Sequence, residues 1–321
     1  QEDLIPTSSA RARLAYDELL ANQLALAMIR RHQKKRKGRS IIGSGDLTRI
    51  IDKKLSFVLT PGQLKVLKEV KKDLKTEHRM LRLLQGDVGS GKTIVAFYSI
   101  LIAIESGYQT ALMAPTEILA KQHFLTLQPL AAAADIKINI LTGKMGVRER
   151  NQIIKDAKAG LTQLLIGTHA LFQDEITFKN LGFAVVDEQH KFGVHQRLAL
   201  SNKGDAVDML IMTATPIPRT LSMTAYGDLD VSTLRDRIPG RKTVITRAVS
   251  TERLQEVVEG IHRALNRGQK AYWVCPLIEI SDKLDLAAAE ERFQHLNTIF
   301  GDRVALIHGR MKDIEKDQIM E

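Results

Sequence analysis

The sequence is short of several things, and each shortage excludes something. Its 321 residues hold one cysteine, Cys275. A single thiol excludes an internal disulfide framework and a multi-cysteine metal site, and it points to a reducing, cytoplasmic setting. Aromatic residues make up 5%, which argues against a stacking platform for single-stranded nucleic acid. No apolar run reaches the ~18–20 residues of a membrane helix. The opening Gln1-Glu2-Asp3 lacks the basic and apolar stretches of a signal peptide, and it lacks an initiator methionine, as a trimmed start would. Positive charge is plentiful: 47 Lys and Arg face 37 Asp and Glu, for a net +10. That balance favours a polyanionic partner. The 44% hydrophobic share excludes global disorder, and the length suits two or three domains.

Along the chain, Tyr16, Leu20, Leu24 and Met28 recur every four residues, which predicts a helix with an apolar stripe. Seven basic residues then crowd Arg30 to Arg39. Two readings are open for them: a solvated helix C-terminus whose cations complement the dipole, or a patch that contacts phosphates. From Met80 onward short apolar strands alternate with helices. The expected strands are Met80–Leu84, Thr110–Ala114, Ile138–Leu141, Gln163–Thr168, Phe183–Asp187 and Met209–Thr213. Such alternation predicts an α/β fold, a parallel sheet with helices on both faces. Ile238-Pro239-Gly240 punctuates the chain, and a second α/β unit is expected beyond it, incomplete at Glu321. Its expected strands are Val244–Val249, Lys270–Leu277 and Val304–His308, with a helix from Thr251 through Leu265 between the first two. Trp273 and Cys275 are expected in its core. The resulting division is a helical, basic linker (1–52), a first domain (53–238) and an incomplete second domain (239–321).

The strongest local signal is Gly86-Asp87-Val88-Gly89-Ser90-Gly91-Lys92-Thr93. It fits the pattern of a phosphate-binding loop and lies between an expected strand and an expected helix. Glycines let backbone N–H groups wrap phosphate oxygens, and the helix N-terminus adds positive potential. Lys92 then reaches the β- and γ-phosphates of a nucleoside triphosphate, and Thr93 offers a hydroxyl to Mg²⁺. The second half of the site is Asp187-Glu188, which emerges from the apolar Phe183–Val186 at the carboxyl end of a central strand. Asp187 suits Mg²⁺, held through water, and Glu188 suits a general base acting on the attacking water.

Further motifs make the pattern more specific. Asp187-Glu188-Gln189-His190 resembles the DExH box of superfamily 2 helicases. Met212 to Thr220, with its Thr213-Ala214-Thr215 core, resembles that superfamily's Ser/Thr-Ala-Thr motif in the extended form found among DNA translocases. Ala114–Ala120 and Gly167–Leu171 resemble the motifs that contact the nucleic-acid strand, and Phe57–Gln63 resembles the adenine-reading Q motif. All stand in the superfamily's order. Within it, His190–Arg197, Tyr226–Ser232 and Arg11–Leu20 are similar to the branch that moves on double-stranded DNA and remodels forks and Holliday junctions. In the second unit Tyr272–Pro276 and His308–Met311 resemble motifs of a second motor domain.

The resemblance implies a RecA-like fold and ATP with Mg²⁺ as cofactors. The nucleotide would be held by Phe57, Gln63, Gly86, Asp87, Val88, Gly89, Ser90, Gly91, Lys92, Thr93, Asp187 and Glu188. It implies coupling through His190, Thr213 and Thr215, and DNA contacts at Thr116, Thr142, Gly143, Thr168, His169, Arg219 and Arg310. For His190 and the threonines, packing, capping or a hydroxyl satisfying its own backbone are alternatives, and Arg219 could equally brace its loop. The expected partner is forked or branched duplex DNA, bound by a monomer without membrane contact. Contact with a single-stranded DNA-binding protein is implied by the resemblance alone. The motif carrying the arginine finger and the junction-gripping wedge domain do not occur in these residues, so weak nucleotide binding and poor hydrolysis are expected of this stretch by itself. Competing readings are a transcription-repair translocase, for whose polymerase-binding domain there is no room, a DExH RNA helicase, and a non-motor P-loop ATPase.

Overall fold

The computed structural model describes residues 8–34, 38–143, 145–172, 175–188, 206–215, 229–236, 244–275, 282–309, 311 and 313–320. The chain forms two compact units, Gln1–Arg241 and Lys242–Glu321.

Unit 1 is built on a parallel sheet. Its strands are β1 (Leu81–Gly86), β2 (Gln109–Met113), β3 (Ile138–Leu141), β4 (Leu164–Gly167), β5 (Leu181–Asp187), β6 (Asp208–Thr213) and β7 (Asp230–Leu234), in the order β3-β4-β2-β5-β6-β1-β7. Every pairing is parallel. β2, β4, β5 and β6 are buried along their whole length, as strands covered on both faces must be, and this is why their middles read as apolar runs. The six expected strands are present with ends shifted by a residue or two. β7 was not expected: Asp230-Val231-Ser232-Thr233-Leu234 is an edge strand with only Ser232 and Leu234 turned inward. It is secured by charge instead. The buried Arg82 guanidinium of β1 donates to the Ser232 hydroxyl at 2.7 Å and to Asp73 at 2.8 Å, and pairs with Glu69.

Among the described residues, the helices of unit 1 are α1 (Ser9–Lys34), α2 (Asp46–Lys54), α3 (Pro61–Leu74), α4 (Lys92–Glu105), α5 (Glu117–Ala133) and α6 (Val147–Ala159). α4 is apolar all round and is buried from Ile94 to Ile104, since α2 and α3 cover the side that the sheet does not. α3 starts with a capping box in which Thr60 and Gln63 satisfy each other's backbone N–H groups. On α1 the expected stripe of Tyr16, Leu20, Leu24 and Met28 is exposed. Of the basic run, Lys35–Lys37 and the side chains of Arg30, Arg31 and Lys34 lie outside the described residues. Arg39 is held against the protein, donating to Asn180 Oδ1 at 2.9 Å and stacked 5.5 Å from the Tyr108 ring. No helix among the described residues is long and apolar enough to cross a membrane.

Asp208 opens β6 at the amino end of the sheet, away from the motif-bearing edge. Its Oδ1 accepts the Met80 N–H at 2.6 Å, while Oδ2 is buried without a partner among the described residues. Burial pushes this carboxyl up to about 7, against the pull of the Met80 N–H, Arg79 and Arg39. The unfolded carboxyl ionises near ~3.9. Between that value and about 7 the folded chain keeps a proton that the unfolded chain has released, so stability falls as pH rises and the loss is complete above that range. Asp208→Asn abolishes this dependence. Denaturant titrations at about pH 5 and about pH 8.5 are expected to show the variant gaining on the wild type by about 3 kcal/mol. A difference that stays constant with pH rules the buried carboxyl out as the source.

Unit 2 contains α7 (Leu254–Asn266), α8 (Asp282–Phe300) and α9 (Asp313–Met320). The helix expected after Thr251 forms, entered through a short 3-10 turn that Ser250 rather than Thr251 caps. Its Val258 packs with Leu296 and Phe300, flanked by Ile261, Leu265, Trp273 and Val304. The three expected strands are corrected by the structure. The described residues of Val244–Val249, Lys270–Leu277 and Val304–His308 are not in any ladder, and Val244, Ile245 and Val274 are more than three-quarters exposed. Periodicity proposes a strand, but only a hydrogen-bonded neighbour makes one. Cys275 is likewise exposed and not in a core, because no strand forms among the described residues of this unit to give it a sheet face to line. Trp273 is half-buried, with the Arg292 guanidinium 5.3 Å over its ring.

Candidate nucleotide and strand-binding site

Strand order brings the two halves of the phosphate site together. β6 lies between β1 and β5, so the carboxyl ends of β1 and β5 stand about 10 Å apart, two inter-strand spacings. Three segments emerge there side by side: the loop after Gly86, the pair Asp187-Glu188, and Thr213-Ala214-Thr215. The registers Gln85 with Thr213 and Asp187 with Met212 place all three at one level. This is the edge where open parallel sheets bind ligands.

The loop itself runs from Gly86, the last residue of β1, to Gly91, the N-cap of α4. Gly89 and Gly91 have φ of 74° and 82°, a region that side chains disfavour. The Lys92 ammonium folds back across the turn and donates to Gly86 O at 2.7 Å and Asp87 O at 3.0 Å. Burial lowers its pKa, while Asp187, Glu188 and Asp87 draw it back up. The Ser90 hydroxyl is buried and has no partner among the described residues, an unmet polar group in a loop shaped for oxygen-rich ligands. Val88 is exposed at the tip, and Thr93 occupies the first turn of α4.

Gln63 is buried, and its amide faces the interior. Oε1 accepts from Thr60 N–H at 2.9 Å and Nε2 donates to Ser90 O at 3.0 Å, which splices the cap of α3 to the phosphate loop. Asp236, two residues beyond β7, accepts the Gly62 N–H at 2.5 Å and so ties the start of α3 to the end of that strand. Phe57 is exposed ahead of α3.

Asp187 ends β5 and is nearly buried. Its Oδ2 lies 2.8 Å from His123 Nε2. Glu188 follows in a left-handed conformation, φ 50°, uncommon for a residue other than glycine. Its Oε1 accepts the Ala214 N–H at 3.2 Å, which joins it to the Thr213–Thr215 loop. In that loop the two threonine hydroxyls are 2.8 Å apart, and Thr215 N–H donates to Thr213 Oγ1 at 3.2 Å.

The strand-contact candidates fall on the other half of the same edge, after β2, β3 and β4. Thr116 caps α5, its hydroxyl accepting from Leu119 N–H at 3.3 Å. Gly143 N–H donates to Glu117 Oε1 at 2.8 Å. Thr142 and Thr168 are buried. His169 begins a 3-10 turn directly after β4, and its side chain is outside the described residues. So are His190, Arg219 and Arg310. The sequence pattern missed His123 and Asp236, since neither belongs to a spaced motif.

A hard cation fits the donor set. Thr93 and Asp187 offer oxygen only, and no group of three or more His, Cys, Asp or Glu able to hold a metal occurs among the described residues. Mg²⁺ suits such a place, because it keeps waters and shares phosphate oxygens instead of seeking a full protein cage.

Comparison with known proteins follows the same lines. The ATP-dependent DNA helicase RecG of Aquifex aeolicus (strain VF5) is 44% identical over 312 residues, 96% of this chain and 39% of that protein. The RecG of Streptococcus pneumoniae serotype 4 is 44% identical over 315 residues, 97% of this chain and 47% of that protein. The chain thus spans less than half the length of these relatives. A solved structure of RecG bound to a three-way DNA junction matches with a TM-score of 0.79 at 41% identity, over 97% of this chain and 41% of that one. The family model for DEAD/DEAH box helicases matches residues 60–224, the stretch that carries the phosphate loop, Asp187-Glu188 and the threonine pair. The chain therefore belongs to the DEAD/DEAH box helicase family.

Proposed function

We propose that the chain is the ATP-hydrolysing part of a DNA helicase that moves on duplex DNA and remodels branched molecules, reversing replication forks and migrating Holliday junctions in recombination and repair. Residues 53–238 are its first RecA-like motor domain, 239–321 belong to a second, and 1–52 form a helical linker. The observation that carries this reading is the hydrogen bond from Ala214 N–H to Glu188 Oε1, which links an acid poised for hydrolysis to a loop able to report it. A bare nucleotide-binding module has no use for that link.

In this site Lys92 and the loop N–H groups hold the triphosphate. Mg²⁺, held by Thr93 and Asp187, would neutralise charge as the terminal phosphate transfers. Glu188 orients the attacking water and takes its proton. Thr213 and Thr215 register loss of the terminal phosphate through Ala214. Thr116, Gly143, Thr168 and their neighbours grip the DNA backbone without reading bases. Similarity to RecG supports branched DNA as the partner, and the resemblance supports a cytoplasmic monomer that contacts a single-stranded DNA-binding protein. In the full-length protein, phosphate release from ATP is expected to rise at least tenfold on adding forked duplex DNA at fixed salt, and to rise less with duplex RNA. Hydrolysis indifferent to DNA overturns the motor reading.

A further inference from the structure

His123 is a buried polar residue, in contact with the site, that the proposed reaction leaves unused. It lies on α5, in no motif, and is buried at 8% exposure. Its Nε2 is 2.8 Å from Asp187 Oδ2, and both side chains are almost fully enclosed. A carboxylate only accepts hydrogen bonds, so Nε2 carries the hydrogen and donates. The bond joins the helix that begins at the strand-contact edge to the carboxylate at the end of β5.

A carboxylate at the end of a strand rotates about its Cα–Cβ and Cβ–Cγ bonds unless something holds it. A group that holds a cation is commonly held in turn by a hydrogen bond, which fixes which oxygen faces the ion. We propose that His123 is a positioning residue for the metal: by occupying Oδ2 it turns Oδ1 of Asp187 toward the phosphate loop. This rests on the reading of Asp187 as the Mg²⁺ residue. The geometry favours a positioning role over simple packing, since an apolar side chain would fill the same space without burying a polar group.

The test uses the full-length protein and Mn²⁺ as the probe, titrated by electron paramagnetic resonance in the presence of a non-hydrolysable ATP analogue. His123→Ala is expected to weaken Mn²⁺ binding about 10- to 100-fold, while analogue binding in chelator stays within about twofold. His123→Gln, which returns an N–H donor at similar reach, is expected to recover most of the loss. Thermal melts of both variants establish that they are folded. Asp187→Asn serves as the reference. If Asp187→Asn leaves Mn²⁺ affinity unchanged, the assignment of Asp187 is itself wrong. If Asp187→Asn weakens Mn²⁺ but neither His123 variant does, the assignment stands and the positioning role is overturned. Should His123→Ala lower only the melting temperature, His123 is a packing residue.

Discussion

Glu188→Gln is expected to slow ATP hydrolysis by about 10²–10⁴-fold, the span of a lost general base, while nucleotide binding stays within about twofold. The substitution is nearly isosteric. It keeps an Oε1 able to accept the Ala214 N–H, now at 3.2 Å, so the loop geometry survives. What disappears is the capacity to take a proton from water. Single-turnover hydrolysis in the full-length protein, read beside equilibrium binding of a fluorescent ATP analogue, separates the two quantities. Wild-type turnover by Glu188→Gln means that the base is elsewhere.

Lys92→Ala acts one step earlier. The ammonium bridges two carbonyls of the phosphate loop, Gly86 O and Asp87 O, and so stands where phosphate oxygens would meet it. It is also the positive charge that faces Asp187, Glu188 and Asp87. Its removal withdraws a charge-assisted contact to phosphate worth about 1.5–3 kcal/mol and leaves three carboxylates to repel the nucleotide. Affinity for ATP is expected to fall by about 100-fold, and turnover with it, in the same binding assay. An unchanged affinity would show that the loop N–H groups alone anchor the triphosphate.

How far these assignments were legible without coordinates differs from one element to the next. The buried strands were plain because a strand covered on both faces needs an unbroken apolar run. β7 was not, because an edge strand with two inward residues leaves almost no pattern, and Arg82 supplies what apolar contact does not. The glycine-rich loop between β1 and α4 was legible because its pattern is written in consecutive residues. His123 and Asp236 were invisible because their partners lie 64 and 174 residues away, and a lone histidine in a helix reads as packing. Gln63 shows the converse: its motif was legible, but the engagement of its amide with Thr60 and Ser90 was not. In unit 2 the apolar alternation around Val244 and Val274 suggested strands, yet alternation cannot supply the neighbour that a ladder requires.

The backbone at Glu188, with φ 50°, has a practical outcome for anyone trying to harden this protein against heat. An acidic residue kept there gives up about 1–3 kcal/mol relative to relaxed geometry, and glycine would recover part of it. Selection for thermal tolerance alone would therefore drift toward glycine at this position and, on the role proposed for Glu188, return a sturdier protein without its base, so any such campaign has to screen for turnover from its first round.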